Sequence, residues 1–331
     1  MSTVGFDRTY GFFRSLLVKP QVAIIAYHHI GSEGDYPWST RSVTTPEFVR
    51  QMRYLKNNFQ IISLDELSAS LRNFKDLPSK TAVVTFDDGY KDFYLNAYPV
   101  LKEYGIPATV FLVTGHIGTG KLFWFDRIRY IIEKTELSAL KIKDLGVFDL
   151  NSAIDRRQPA KAITNELKNL SLEFRDALIE EIVTASGVDI PVDLGERVIL
   201  SWREVKEMSR NGVNFGAHTV SHPILTRLPL EAAQKEILDS KMQAEKMLER
   251  EVTAFCYPNG EPRDFNADIE EILKDSGFKC AVTLEPAAFV QPEARPYSLP
   301  RIAAVPNFHT FEFMMSGLYS DLGAVLRRRV K

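Results

Sequence analysis

Short apolar runs alternate along the chain with stretches of helical periodicity. Val22 to Tyr27, Thr81 to Phe86 and Ala108 to Val113 each read as a buried strand. Thr45-Pro46 starts a helix with proline at its first position, and Phe48, Met52 and Leu55 recur on one face. Ser63 with Glu66, and Ser201 with Glu204, are capping-box patterns for helices to about Arg72 and Met208. Gly105 is a natural stop for the helix ending at Tyr104. Val213 to Ala217 reads as a short strand leading into His218. A helix over Leu230 to Arg250 follows, with Ala233, Ile237, Ala244 and Leu248 at helical spacing. Then come a strand from Thr253 to Tyr257, a Pro258-Asn259-Gly260 turn, a helix over Asp268 to Ser276 and a strand over Cys280 to Leu284. Pro296 to Ala304 holds a last strand.

Strands alternating with helices predict parallel βαβ units and an α/β fold. His28, Asp87, Asp88, His218 and Tyr257 sit at or just after predicted strand ends. Barrels and doubly wound sheets place their active sites there. Leu122 to about Arg197 breaks the rhythm. It is rich in Lys, Glu, Leu and Ile, with weak helical periodicity, and reads as a mostly helical insertion, residues 122–197, within a single domain of 1–331.

Composition narrows the class. The 331 residues are 45% hydrophobic and 25% charged, ordinary for a globular protein with a sizeable core. A net charge of −2 leaves no electrostatic footprint for nucleic acid. Two cysteines, Cys256 and Cys280, imply no disulfide framework and are expected to be reduced. Asp7, Arg8, Arg14 and Lys19 interrupt the early apolar stretches, so no signal peptide is read there, and no run approaches the length that spans a bilayer. The expectation is a cytoplasmic protein. The tail Arg327-Arg328-Arg329-Val330-Lys331 is either a solvated end or a peripheral contact with anionic lipid at the inner face of the membrane.

The chemistry concentrates in Thr85-Phe86-Asp87-Asp88-Gly89-Tyr90 and His218-Thr219-Val220-Ser221-His222. Gly89 frees the backbone to turn at a strand end, so both carboxylates can reach one cleft. One can bind a metal while the other stays free as a base. The two histidines, four residues apart, would share one side of a helical turn. Thr219 and Ser221 between them can orient the rings. A three-ligand metal site beside a spare carboxylate is the minimum for metal-assisted hydrolysis.

These motifs resemble the polysaccharide deacetylase (NodB-homology) family of carbohydrate esterases. T-F-D-D-G is intact, and His218 to His222 matches the family's H-[ST]-x-x-H. The stretch from His218 through Leu225-Thr226, with the later Phe255-Cys256-Tyr257-Pro258-Asn259-Gly260, resembles its bacterial exopolysaccharide and lipopolysaccharide branch. The likeness covers roughly 20–120 and 198–305, not the insertion. It implies a distorted (β/α)7-type barrel and a divalent metal, usually Zn2+, with Co2+, Ni2+ or Fe2+ also suited to such ligands. It further implies that Asp88, His218 and His222 are the metal ligands. Asp87 would be the base on metal-bound water, and the Tyr257 backbone N–H an oxyanion donor. The reaction would be hydrolysis of an N-acetyl group on a sugar, with an acetylated, nucleotide- or lipid-linked saccharide as substrate.

The chain departs from that pattern in three places. The Arg that usually opens the third motif is replaced by Ala254-Phe255-Cys256. The fourth motif is absent around Cys280 to Leu284, and Ser298-Leu299-Pro300-Arg301-Ile302 lacks the usual acid His. Arg301 is the candidate replacement for the Arg that orients Asp87. The Tyr27-His28 pair resembles the start of the exopolysaccharide branch, which makes His28 the candidate acid, with His309 as reserve and His29 and His116 read as structural. Trp38 is a candidate sugar-stacking surface, Trp124 an anchor of the insertion, Trp202 a packing residue and Cys256 a small core residue. Two other functions fit the sequence: a deacylase of another small amide or an O-acetyl group, and a non-catalytic carbohydrate-binding protein on the same scaffold.

Overall fold

The computed structural model describes residues 22–31, 42–78, 80–151, 156–284, 289–291 and 293–317. Trp38, the N-terminal stretch and the basic C-terminal tail lie outside them. In chain order the elements are β1 (Val22–Tyr27), α1 (Thr45–Asn58), α2 (Leu64–Ser70), β2 (Thr81–Phe86), α3 (Tyr98–Tyr104), β3 (Ala108–Leu112), α4 (Trp124–Lys134), β4 (Ala139–Ile142), β5 (Gly146–Asp149), α5 (Arg157–Leu167), α6 (Leu172–Ser186) and α7 (Leu194–Val198). There follow α8 (Trp202–Arg210), β6 (Asn214–Ala217), α9 (Leu230–Leu248), β7 (Ala254–Cys256), α10 (Ala267–Asp275), β8 (Cys280–Val282), β9 (Ile302–Ala303) and α11 (Phe308–Met315).

All side chains of β1, β2 and β3 are buried, as unbroken apolar runs require when both faces of a parallel sheet are covered. β1 and β2 pair along their full length, from Val22 opposite Thr81 to Tyr27 opposite Phe86. The principal strand order is β8-β7-β6-β3-β2-β1-β9, and every pairing in it is parallel. One segment then joins the two edges. Leu299 N–H donates to Ala281 O at 3.0 Å, and Thr283 N–H donates to Leu299 O at 2.9 Å. Three residues on, Ile302 pairs with Ile25. The sheet therefore curls into the expected distorted (β/α)7-type barrel, and its parallel strands deliver His28, Asp87, His218 and Tyr257 to one rim.

Both capping boxes form as the sequence predicts. The cap of α1 lies one residue earlier than expected. Thr44 accepts from Glu47 N–H, and Pro46 follows inside the first turn. Gly105, at φ 64°, closes α3.

In the 122–197 stretch, α4, α5 and α6 pack around their own core, which includes Ile128, Ile132, Ile163, Leu178 and Ile182. The β4/β5 hairpin there was not anticipated. Its one alternating signal is Leu140 and Ile142, buried on either side of exposed Lys141, since Val147 and Phe148 are adjacent on the second strand. Entry and exit of the stretch cross at Gly120 and Gly195. A Cβ on Gly195 would lie 1.8 Å from the Gly120 carbonyl oxygen, so the crossing needs glycine.

Candidate active site

Asp88 follows β2 in the left-handed region at φ 72°. His218 follows β6, and its N–H continues the sheet by donating to Leu112 O at 2.9 Å. The two histidines do not share a helical turn, contrary to the expectation from their spacing. Residues 218–222 form a loop in which Thr219 and His222 both have positive φ, 66° and 61°. Such backbone costs on the order of 1–3 kcal/mol per residue and persists where the surroundings impose it. The imposing groups are visible. Glu236 of α9 accepts from Val220 N–H at 2.8 Å and Ser221 N–H at 2.9 Å, and from Ser221 Oγ at 2.7 Å. Thr219 Oγ1 accepts from His222 N–H at 3.0 Å.

This loop brings His218 Nε2 and His222 Nε2 to 3.5 and 3.4 Å from Asp88 Oδ1. Donors about 2.0–2.1 Å from a tetrahedral ion lie about 3.3–3.4 Å apart, so each histidine nitrogen already stands from Asp88 Oδ1 at the spacing of two tetrahedral ligands, and all three atoms lie within 4.8 Å of one another. Asp88 Oδ1 is buried without a hydrogen-bond partner. The backbone carbonyl of Cys256 lies 2.7 Å from His218 Nδ1 and accepts its proton, leaving Nε2 to face Asp88. Burial pushes His222 down to about 3, which keeps its imidazole neutral. The three residues fit a divalent cation. Asp87, His218 and Cys256 also converge. That group does not suit a metal, because burial raises the Cys256 thiol, which keeps it protonated, and the charge of Asp87 is already met by Arg301.

Arg301 is fully buried and forks onto Asp87, Nη1 to Oδ1 at 2.7 Å and Nη2 to Oδ2 at 2.8 Å. Its remaining donors go to Thr283 O, Thr85 Oγ1 and Cys256 Sγ at 3.1, 3.1 and 3.0 Å. All five guanidinium hydrogens thus have acceptors. Burial alone would raise the Asp87 pKa. The charge and hydrogen bonds of Arg301 outweigh it, helped by His28 and His218, and bring the carboxyl down to about 2. Cys256 is a core residue, as expected, and also part of the cradle around Arg301.

His28 Nε2 lies 3.8 Å from Asp87 Oδ2, at the cleft floor. His29 is buried, with Nδ1 2.7 Å from Asp92 Oδ2. His116 stacks on Phe123 at 4.4 Å, and His309 is exposed on α11, outside the cleft. Tyr257 lines the cleft, and its backbone N–H, the expected oxyanion donor, is engaged in the sheet. It continues the sheet by donating to Val282 O at 3.3 Å. Trp124 lines the cleft, while Trp202 packs on the core at the start of α8. The cleft encloses about 990 Å3, and the 122–197 stretch forms one wall. The spacing of α4 seats Phe125 5.4 Å from the His222 ring and Asp126 Oδ2 2.8 Å from the Tyr90 hydroxyl, tying that wall to the histidine loop and to the turn that carries Asp88.

A family model for polysaccharide deacetylase matches residues 74–281. YxkH of Bacillus subtilis (strain 168) is 25% identical over 291 residues, covering 87% of this chain and 74% of that protein. The poly-beta-1,6-N-acetyl-D-glucosamine N-deacetylase of Staphylococcus aureus (strain N315) is 27% identical over 262 residues, covering 79% of this chain and 67% of that protein. The Streptococcus pyogenes deacetylase PplD, solved with acetate, superposes with a TM-score of 0.59 at 23% identity, over 88% of this chain and 95% of its own. IcaB from Ammonifex degensii gives 0.58 at 19% identity, over 90% and 97%. These two structures share the fold. The matched family segment is more than half of the chain and carries both the Asp-Asp pair and the histidine loop, so this chain belongs to the polysaccharide deacetylase family, hydrolases of the amide bonds of N-acetyl sugars.

Proposed function

We propose that this chain is a metal-dependent N-deacetylase acting on an N-acetylated sugar of a cell-surface polysaccharide or lipopolysaccharide. The observation that carries the reading is Asp87, held ionised by Arg301, beside three residues already spaced as metal ligands. Asp88, His218 and His222 would hold the cation. A divalent cation there supplies Lewis acidity, polarising the acetyl carbonyl and making water acidic enough for a weak carboxylate base.

Asp87 accepts the proton of the attacking water at a carboxylate oxygen. Arg301 fixes the plane of that carboxylate through its two-point contact, so orientation is settled before substrate arrives. Water oxygen bonds to the acetyl carbon, the carbon–nitrogen bond breaks, and the nitrogen leaves as an amine only when it gains a proton. His28 Nε2, on the same cleft floor, is placed to give that proton. Acetate and a free amino sugar result. The Tyr257 N–H, engaged with Val282, is given no part.

The test is acetate and free-amine release from a panel of N-acetylated oligosaccharides, including β-1,6-linked N-acetylglucosamine, by protein supplied with divalent metal. Acetate release that disappears in Asp87→Asn, with metal still bound, is the expected result. Absence of acetate release across the panel overturns the proposal.

A further inference from the structure

The chain carries a net charge of −2, yet the wall of the cleft is cationic. Arg129, Lys161, Lys168, Arg175, Arg227 and Arg263 line it. The acids that line it are Asp87 and Asp88 on the floor, and Glu261 and Asp264 opposite the insertion. Three of the cations are matched within the protein: Arg129 by Asp126 at 3.1 Å, Arg175 by Asp176 at 2.9 Å and Arg263 by Glu261 at 2.9 Å. Among the described residues no carboxylate pairs with Lys161 or Arg227. Arg227 donates to a neutral acceptor, Asn169 Oδ1, at 3.1 Å, and its charge is felt by Asp264 of the same cleft without an ion-pair contact.

The placement of these groups is regular. Ala160, Ile163 and Leu167 bury one face of α5 in the core of the insertion. The cleft receives Lys161, Thr164, Asn165 and Lys168, a polar stripe at i, i+3, i+4 and i+7 with a lysine at each end. Arg227 follows the histidine loop and reaches Asn169, just beyond that stripe. Lys161 and Arg227, with no carboxylate partner among the described residues, thus stand along a cleft that also holds the reacting groups. A neutral sugar has no charge to offer them.

The geometry points to an anionic saccharide as the substrate: an N-acetyl sugar unit with a phosphate or carboxylate on or beside it, read by Lys161 and Arg227. This rests on the deacetylase reading above. The test compares a neutral β-1,6-linked N-acetylglucosamine tetramer with the same tetramer as its 1-phosphate and as its carboxymethyl glycoside. Acetate release and equilibrium binding are both measured, at low and high salt.

At least one charged tetramer is expected to exceed the neutral one in kcat/KM and in affinity by about fivefold or more at low salt, with the advantage shrinking at high salt. Which charged tetramer gains identifies the group read. The Lys161→Gln/Arg227→Gln double variant should lose most of that preference while turning over the neutral tetramer within about twofold of the wild type. Equal binding and turnover of all three tetramers overturns the inference, as does a preference that survives the double variant. Preferential binding without any acetate release supports the anionic site and overturns the deacetylase reading instead.

Discussion

Replacing Arg301 by methionine removes one half of a buried ion pair and keeps most of the volume. Asp87 is 3% exposed and both of its oxygens are held by the guanidinium, so the variant strands a carboxylate in the core. Breaking such a pair costs about 3–5 kcal/mol. Holding the Asp87 carboxyl at about 2 against an ordinary 3.8 corresponds to about 2 kcal/mol net, what remains after the attraction of Arg301, His28 and His218 has offset the cost of burial. Its folded pKa lies below the unfolded one, so this contribution is full above about pH 4 and fades as pH falls toward 2. Thermal unfolding in chelator at pH 7 should show Arg301→Met melting on the order of 10 °C lower. Asp87→Asn combined with Arg301→Met should lose less than the sum of the single variants, because no stranded charge remains. Arg301→Lys should fall between, since an ammonium cannot fork onto a carboxylate. A single Arg301→Met variant within about 1 kcal/mol of wild type, or losses that simply add, would refute the reasoning.

Elemental analysis of protein dialysed against divalent metal should find one ion per chain, lost in Asp88→Asn and His218→Ala, and chelation should abolish acetate release from the wild type. His28→Asn should keep its metal while kcat falls about 10²- to 10⁴-fold, and an unchanged kcat would remove His28 from the reaction. Glu236→Ala touches no ligand but frees two backbone N–H groups of the histidine loop. Metal affinity, measured by competition with a chelator, should weaken about 10- to 100-fold, and unchanged affinity would show the loop to be self-supporting.

Much of this molecule was legible in its sequence for identifiable reasons. The strands are unbroken apolar runs, and both capping boxes are local patterns that need no tertiary context. Asp88 and the two histidines could be paired because two short motifs carry them. Arg301 was found by asking what replaces a missing arginine, and the curled sheet puts it on Asp87. What escaped depends on contacts distant in the chain. The histidine spacing suggests a helical turn, but Glu236, fourteen residues beyond His222, holds it as a loop. The Tyr257 N–H could be seen to be engaged only once the β7/β8 register was known. The hairpin in the insertion alternates over too few residues to be distinguished from weak helical periodicity. The cationic stripe of α5 has no motif at all, since solvent and a cleft leave the same polar signature in a helix.

The segment from Leu299 to Ile302 does more than complete the sheet. It bonds to Ala281 and Thr283 on one edge, pairs with Ile25 on the other, and carries Arg301 between these contacts. His28 follows the first described strand and Arg301 precedes the last, while Asp88, His218 and His222 lie between them in sequence. Asp87 and the guanidinium that pairs with it are 214 residues apart, and only closure of the ring brings them together. A chain cut before residue 299 would lose both edge contacts and the arginine at once, so closure of the barrel and the orientation of Asp87 stand or fall together.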